Sequence, residues 1–284
     1  MRTPLKFRTR KARFALTGAA LAALVAIPST VAAAAATGSH SQPASSHSQP
    51  AVKPTIVLEH GAWADGSSWD GVVTRLQRDG YTVDVPPNPL RGVGSDSAYL
   101  ASYLATVPGP VVLAGHSYGG FVTTNAATGD KNVKALVYVD AYIPAQGDTI
   151  NSLTAQFPGS QITPAALSFV PSPGGVTDAY IKPALFRGIL ASDLPASQAA
   201  ELAATQRPIA ASALTEVSGP PAWATIPSWA VIGTADHAIP PAAQEFMAAR
   251  AHATVTKINA SHLSLISHPG TVANVIEEAA RATS

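Results

Sequence analysis

Cysteine is absent from all 284 positions of the chain. Disulfides and thiolate metal sites are therefore excluded, and cysteine usage says nothing about compartment. Charge is also scarce, at 12% of residues against 46% hydrophobic. That balance belongs to a compact globular core and not to a disordered chain. Basic residues cluster only at the start, where Arg2, Lys6, Arg8, Arg10, Lys11 and Arg13 precede the apolar run "FALTGAALAALVAI". The run is shorter than the roughly 20 residues that a membrane-spanning helix needs. Followed by "PST" and "VAAAAAT", it has the three-part order of a secretory signal peptide. Residues 1–36 are thus expected to be removed on export, giving a secreted protein without a stable membrane anchor. Their loss leaves 12 cations against 17 acids, a net charge of about −5, so the formal +1 of the whole sequence misleads. A mildly acidic chain with no basic patch has no footprint for nucleic acid.

What is present is a regular alternation. Residues 37–53 form a Ser/His/Gln/Pro linker in which "SHSQPA" occurs twice. Beyond it, over residues 54–284, short β-branched runs predict strands at Thr55 to His60, Tyr81 to Val85, Val111 to Gly115, Val133 to Asp140, Ser228 to Gly233 and Ala253 to Asn259. Helical patterns separate them at Ser67 to Arg78, Asp96 to Thr106, Tyr118 to Ala127, Pro241 to Ala251 and Thr271 to Arg281. Alternation of this kind predicts an α/β fold, a mostly parallel central sheet with helices on both faces. Continuous apolar strands fit it, because such strands are buried on both sides. One connection, residues 141–222, is far longer than a crossover requires. It carries ten prolines, a helical patch near Pro195 to Gln206 and scattered aromatics (Tyr142, Phe157, Phe169, Tyr180, Phe186). Such an insertion reads as a lid over a site.

The chemistry begins at "VVLAGHSYGGFVTTNAA", where a strand runs into Ser117 boxed by glycines and then into a helix. A sharp strand-to-helix turn lifts a serine hydroxyl above the sheet edge, and small neighbours relieve the crowding. The amide of Tyr118 then faces the place where an oxyanion would form. A serine nucleophile needs a base and an orienting acid from the carboxyl ends of later strands. "VIGTADHAIPP" supplies Asp236, and "KINASHLSLISHPG" supplies His262. Asp140, after the strand that precedes the insertion, is the rival acid. The turn in "VLEHGAW" offers the amide of Ala62 as a second oxyanion donor, with Trp63 beside it as a candidate pocket wall. His60 and His116, which flank these motifs, read as buried hydrogen-bonding groups.

In this order, "HGAWADGSSWDGV", "GHSYGG", "GTADHAIPP" and "SHLSLISHP" resemble the α/β-hydrolase fold family over essentially all of Pro54 to Ser284. Within it they are similar to small serine esterases of actinomycete type, plant methylesterases and hydroxynitrile lyases. The resemblance implies a Ser117–His262–Asp236 triad, oxyanion amides at Ala62 and Tyr118, a small-molecule ester as substrate, and no metal or cofactor. Leu263 stands where hydroxynitrile lyases carry lysine, and a serine at 117 excludes the aspartate-nucleophile relatives. A cofactor-free perhydrolase of haloperoxidase type would share the whole triad, and a non-catalytic ligand-binding protein could use the same scaffold. Nothing in the sequence sets an oligomeric state. One departure is Glu59, where the family usually has an apolar residue. A buried carboxylate there needs a partner, and the sequence names none.

Overall fold

A computed structural model of the chain describes residues 53–284. The expected signal peptide and nearly all of the expected linker lie outside the described residues. Strand β1 (Thr55–Glu59) leads through a 3-10 turn at Gly66–Trp69 into α1 (Asp70–Arg78). Then follow β2 (Val83–Asp84), α2 (Val93–Leu104), β3 (Val111–His116), α3 (Gly119–Ala126) and β4 (Val133–Val139). The insertion holds α4 (Ile150–Gln156), β5 (Leu167–Ser172), β6 (Val176–Ile181), α5 (Pro183–Leu190), α6 (Ala196–Thr205) and β7 (Ile209–Ala210). The chain returns through β8 (Ser228–Gly233), α7 (Pro241–Arg250), β9 (Thr254–Ile258), α8 (Ser264–Ser267) and α9 (Pro269–Ala282).

Six strands form one parallel sheet in the order β2-β1-β3-β4-β8-β9. The interior strands bury almost every residue, which is why their sequences are unbroken apolar runs. Edge strand β9 leaves Thr254, Val255 and Lys257 exposed, and a lysine on an edge discourages pairing with another chain. Helices cover the sheet in pairs, α1 against α9 and α2 against α3. Helix α1 turns Val72 and Leu76 inward, while α9 does the same with Val272 and Ile276. Register brings Glu59 level with Gly115, His116 with Val139, and Gly233 with Ile258. The residues after these strands therefore emerge on a single edge, where open α/β sheets carry their sites.

Three expectations need correction. The second helix begins at Val93 and not at Asp96, because the Glu216 carboxylate accepts the amides of Val93 and Gly94 (both 2.8 Å) while Asp96 accepts those of Arg91 and Gly92. Orphan amides at a helix start are thus satisfied partly from the insertion. The first helical stretch is split between the 3-10 turn and α1. The insertion also contains an antiparallel sheet, β5-β6-β7, that its weak hydrophobic pattern does not announce.

Candidate active site

Ser117 sits at the end of β3 with φ of 54°, a left-handed conformation that a non-glycine residue holds only when its surroundings enforce it. Those surroundings are tight. A Cβ on Gly115 would lie 2.7 Å from the Gly119 carbonyl oxygen, and one on Gly119 would lie 2.7 Å from the Glu59 carbonyl oxygen. The glycine box is therefore a packing requirement, because β1, the turn and α3 pass with no room for side chains. Trp63 (φ 59°), four residues past β1, and Asp140 (φ 44°), directly after β4, share the same strained backbone region.

Three side chains far apart in sequence meet here. Ser117 Oγ donates to His262 Nε2 at 2.8 Å, and His262 Nδ1 donates to Asp236 Oδ2 at 2.8 Å. Ser117, His262 and Asp236 are 4%, 2% and 3% exposed. Asp236 receives further N–H donors: Ala238 (2.7 Å) and Ile239 (3.0 Å) on Oδ1, and the Gln244 side chain (2.7 Å) on Oδ2. Burial by itself would lower the pKa of His262. The carboxylates of Asp236 and then Asp140 outweigh it and hold the imidazole above its usual 6.5.

The rival acid is close but differently employed. Asp140 is fully buried and accepts the amides of Gly233 (2.8 Å) and Ser264 (3.1 Å). It ties β4 to the loops that follow β8 and β9. Burial, and then the charge of Asp236, push its carboxyl above the usual range.

The amides of Ala62 and Tyr118 donate to no other group among the described residues, and both residues line the same cavity as Ser117. Tyr118 is anchored by its hydroxyl, which donates to Asp96 at 2.8 Å. The cavity measures about 270 Å³, and twelve of its 17 lining residues come from the insertion. None of the lining side chains is charged. Trp63 is part of the wall, its indole N–H donating to the Ala179 carbonyl at 2.9 Å. Of the insertion's aromatics, Tyr142 and Phe169 reach the cavity. Phe186 is buried elsewhere, and Phe157 packs on Phe246 with ring centres 5.4 Å apart.

The flanking histidines are buried and held by hydrogen bonds. His60 Nδ1 donates to the Gly61 carbonyl (2.9 Å) while Nε2 accepts the Asn88 amide (3.1 Å). Burial lowers its pKa to about 4, so it is neutral. His116 Nε2 donates to the His262 carbonyl at 3.0 Å, and burial holds this ring neutral too. Glu59 is 1% exposed, and its Oε2 has no hydrogen-bond partner among the described residues. Burial, reinforced by the charge of Asp96, raises its pKa well above the usual value and favours the protonated acid. Gln244 and most of the cavity wall escape a reading of the sequence. A glutamine in a Pro-led helix carries no sign that it faces an aspartate eight residues earlier.

Among the described residues, no group of three His, Cys, Asp or Glu side chains is placed to hold a metal ion, and no helix is long and apolar enough to cross a membrane. The sequence profile of the alpha/beta hydrolase family matches residues 56–275. A carbendazim hydrolyzing esterase of Nocardioides sp. (strain SG-4G) is 33% identical over 114 residues, covering 34% of this chain and 46% of that protein. A pyrethroid hydrolase of Sphingobium wenxiniae (strain DSM 21828 / CGMCC 1.7748 / JZ-1) is 30% identical over 128 residues, covering 40% and 45%. The chain thus spans about half the length of the curated relatives it matches. Among solved structures, polyneuridine aldehyde esterase superposes with a TM-score of 0.70 at 17% identity, covering 80% of this chain and 99% of that one. At that identity the likeness is one of fold.

Proposed function

The chain belongs to the alpha/beta hydrolase family, and from that premise we propose that it is a secreted serine hydrolase of small neutral carboxylic esters. One observation carries the reading. The hydrogen-bonded series Ser117–His262–Asp236 ends at the mouth of an uncharged cavity, beside two amides that have no acceptor among the described residues. His262 takes the Ser117 proton as Oγ attacks the ester carbonyl, and Asp236 holds the imidazole in the tautomer that leaves Nε2 free to accept. The Ala62 and Tyr118 amides stabilise the tetrahedral oxyanion. Collapse of that intermediate expels the alcohol, which receives the proton from His262. Water, deprotonated by the same imidazole, then releases the acid from the acyl-enzyme.

Support for an ester substrate comes from the relatives named a carbendazim hydrolyzing esterase and a pyrethroid hydrolase. Support for a compact one comes from the cavity, whose 270 Å³ lies at the small end of ligand pockets. The insertion encloses Ser117, so esters of short or medium acyl chains fit better than long-chain triglycerides. A panel of p-nitrophenyl acetate, butyrate, octanoate and palmitate, followed by emulsified triolein, tests this. A rate that jumps at the oil interface with preference for palmitate would make the protein a lipase. Export rests on the first 36 residues. Amino-terminal sequencing of protein recovered outside the cell should read from near Thr37, and an intact Met1 there would defeat it.

A further inference from the structure

The insertion grips each loop that carries the proposed machinery. The Trp63 amide donates to the Arg207 carbonyl at 2.9 Å, steadying the turn that bears Ala62. Around Asp236, the Gln161 amide donates to the His237 carbonyl (2.8 Å) and Ser160 Oγ to the Ala238 carbonyl (2.8 Å). Main-chain groups supply most of these contacts, so they persist through most substitutions.

The grip on the His262 loop is different, because it depends on a charged side chain. Asp193, in the turn between α5 and α6, accepts the Ser261 amide through Oδ2 (3.1 Å) and the Ser261 hydroxyl through Oδ1. Ser261 Oγ also lies 3.1 Å from the Leu190 carbonyl, and the Leu263 amide donates to that same carbonyl at 3.2 Å. The residues on both sides of His262 are thus tied to the end of α5. Ser261 is 1% exposed, whereas the Asp193 side chain is 24% exposed. Burial alone would raise the Asp193 carboxyl. Hydrogen bonds from Ser261 help outweigh that and hold it below the usual carboxylate range, leaving an anion at neutral pH.

Sheet order explains why a clamp is needed at this position. Ser117 and Asp140 follow interior strands, flanked on both sides by other strand ends. His262 follows β9, which among the described residues pairs only with β8. Among the described residues its loop has no neighbouring strand on the outer side; from the inner side His116 Nε2 donates to the His262 carbonyl and Asp140 accepts the Ser264 amide, and Asp193 holds the loop from the insertion side. A displacement of about 1 Å between reacting groups costs on the order of 100-fold in rate.

We propose that Asp193 is a positioning residue for His262, a carboxylate supplied by the insertion that fixes the base's backbone where Nε2 reaches Ser117 Oγ. The inference rests on reading Ser117, His262 and Asp236 as the catalytic set. It is tested with Asp193→Ala, Asp193→Asn and Ser261→Ala, using kcat and KM on a soluble p-nitrophenyl ester at 25 °C. A second readout is the far-downfield proton resonance of His262 Nδ1–H hydrogen-bonded to Asp236. Asp193→Ala should lower kcat roughly 10- to 100-fold with KM within about threefold, and should broaden that resonance. Asparagine can accept the Ser261 amide while donating to Ser261 Oγ, so Asp193→Asn should restore both the rate and the sharp resonance. If Asp193→Ala does not fold, Ser261→Ala carries the test, with a several-fold loss of kcat and the same broadening expected. A lowered melting temperature with unchanged kcat and an unchanged resonance would overturn the proposal. The resonance needs no turnover, so this failure is distinct from that of the underlying reading, which hydrolysis surviving in Ser117→Ala would defeat.

Discussion

The parallel sheet and the insertion build the same site by opposite means. Strands β1, β3, β4 and β8 are held by burial on both faces and by parallel ladders on either side. Their carboxyl ends deliver Ser117 and the residues around it on a rigid edge. The insertion's sheet is short, antiparallel and partly exposed, with Phe169 49% and Val170 46% accessible. It is fastened to the rest by polar contacts: Arg91 to Asp178 (2.7 Å), Arg250 to Asp148 (2.6 Å), and Glu216 to the start of α2. The proposed reacting groups stand on the sheet's edge, and the walls of the cavity come mostly from the insertion. Changes on the sheet side should therefore alter rate, and changes in the insertion should alter selectivity or stability, except at Asp193, which holds the His262 loop.

The largest effects belong to the sheet side. Ser117→Ala is expected to fold normally, lose roughly 10⁴-fold or more in kcat and escape fluorophosphonate labelling. Labelling that persists would move the nucleophile elsewhere. Asp236→Asn should cost on the order of 10⁴ in kcat, because the imidazole is left in the wrong tautomer. In the insertion, Phe169→Ala should widen the cavity and shift the octanoate-to-acetate ratio of kcat/KM by about tenfold, leaving acetate turnover nearly unchanged. An equal loss on both esters would place Phe169 in catalysis and blur the division.

Smaller effects sharpen it. Glu216→Ala removes the acceptor for two amides of α2 and should cost about 1 kcal/mol, read as a lower melting temperature with kcat unaltered. Asp140 allows a test by pH. His262 must be neutral to accept a proton, so kcat/KM should rise with pH through a midpoint above the usual 6.5, its raised value. The Asp140 carboxylate contributes to that rise, so Asp140→Asn should move the midpoint to lower pH while reducing the plateau only slightly. A 10⁴-fold drop here, with Asp236→Asn nearly unaffected, would exchange the two acids.

Legibility followed the same division. The four interior strands can be read from runs such as "VVLAG" and "SWAVIG", because double-sided burial leaves a continuous apolar signature, whereas the edge strands β2 and β9 show only the β-branched residues of "YTVDV" and "ATVTKIN". The hairpin "LSFVPSPGGVTDAYI" had a turn signal in Pro173–Gly175, yet the aromatics around it read as cover for a site and not as strands. Gln244, Glu216 and Asp193 carried no local signal, since each acts on a partner that its sequence neighbourhood does not identify.

The sequence by itself determined the residue types at the strand ends and their order along the chain: a serine in a glycine box, two later acids and a histidine. Those follow from local periodicity and turn chemistry, which act over a few residues. Only the tertiary structure decided that Asp236 and not Asp140 lies 2.8 Å from His262, and that the histidine meets a serine 145 residues away. It also decided that an acid from the insertion holds the histidine's neighbour. A hydrogen bond forms only within about 3 Å, and distances on that scale between remote residues are set by how the sheet, its helices and the insertion pack together.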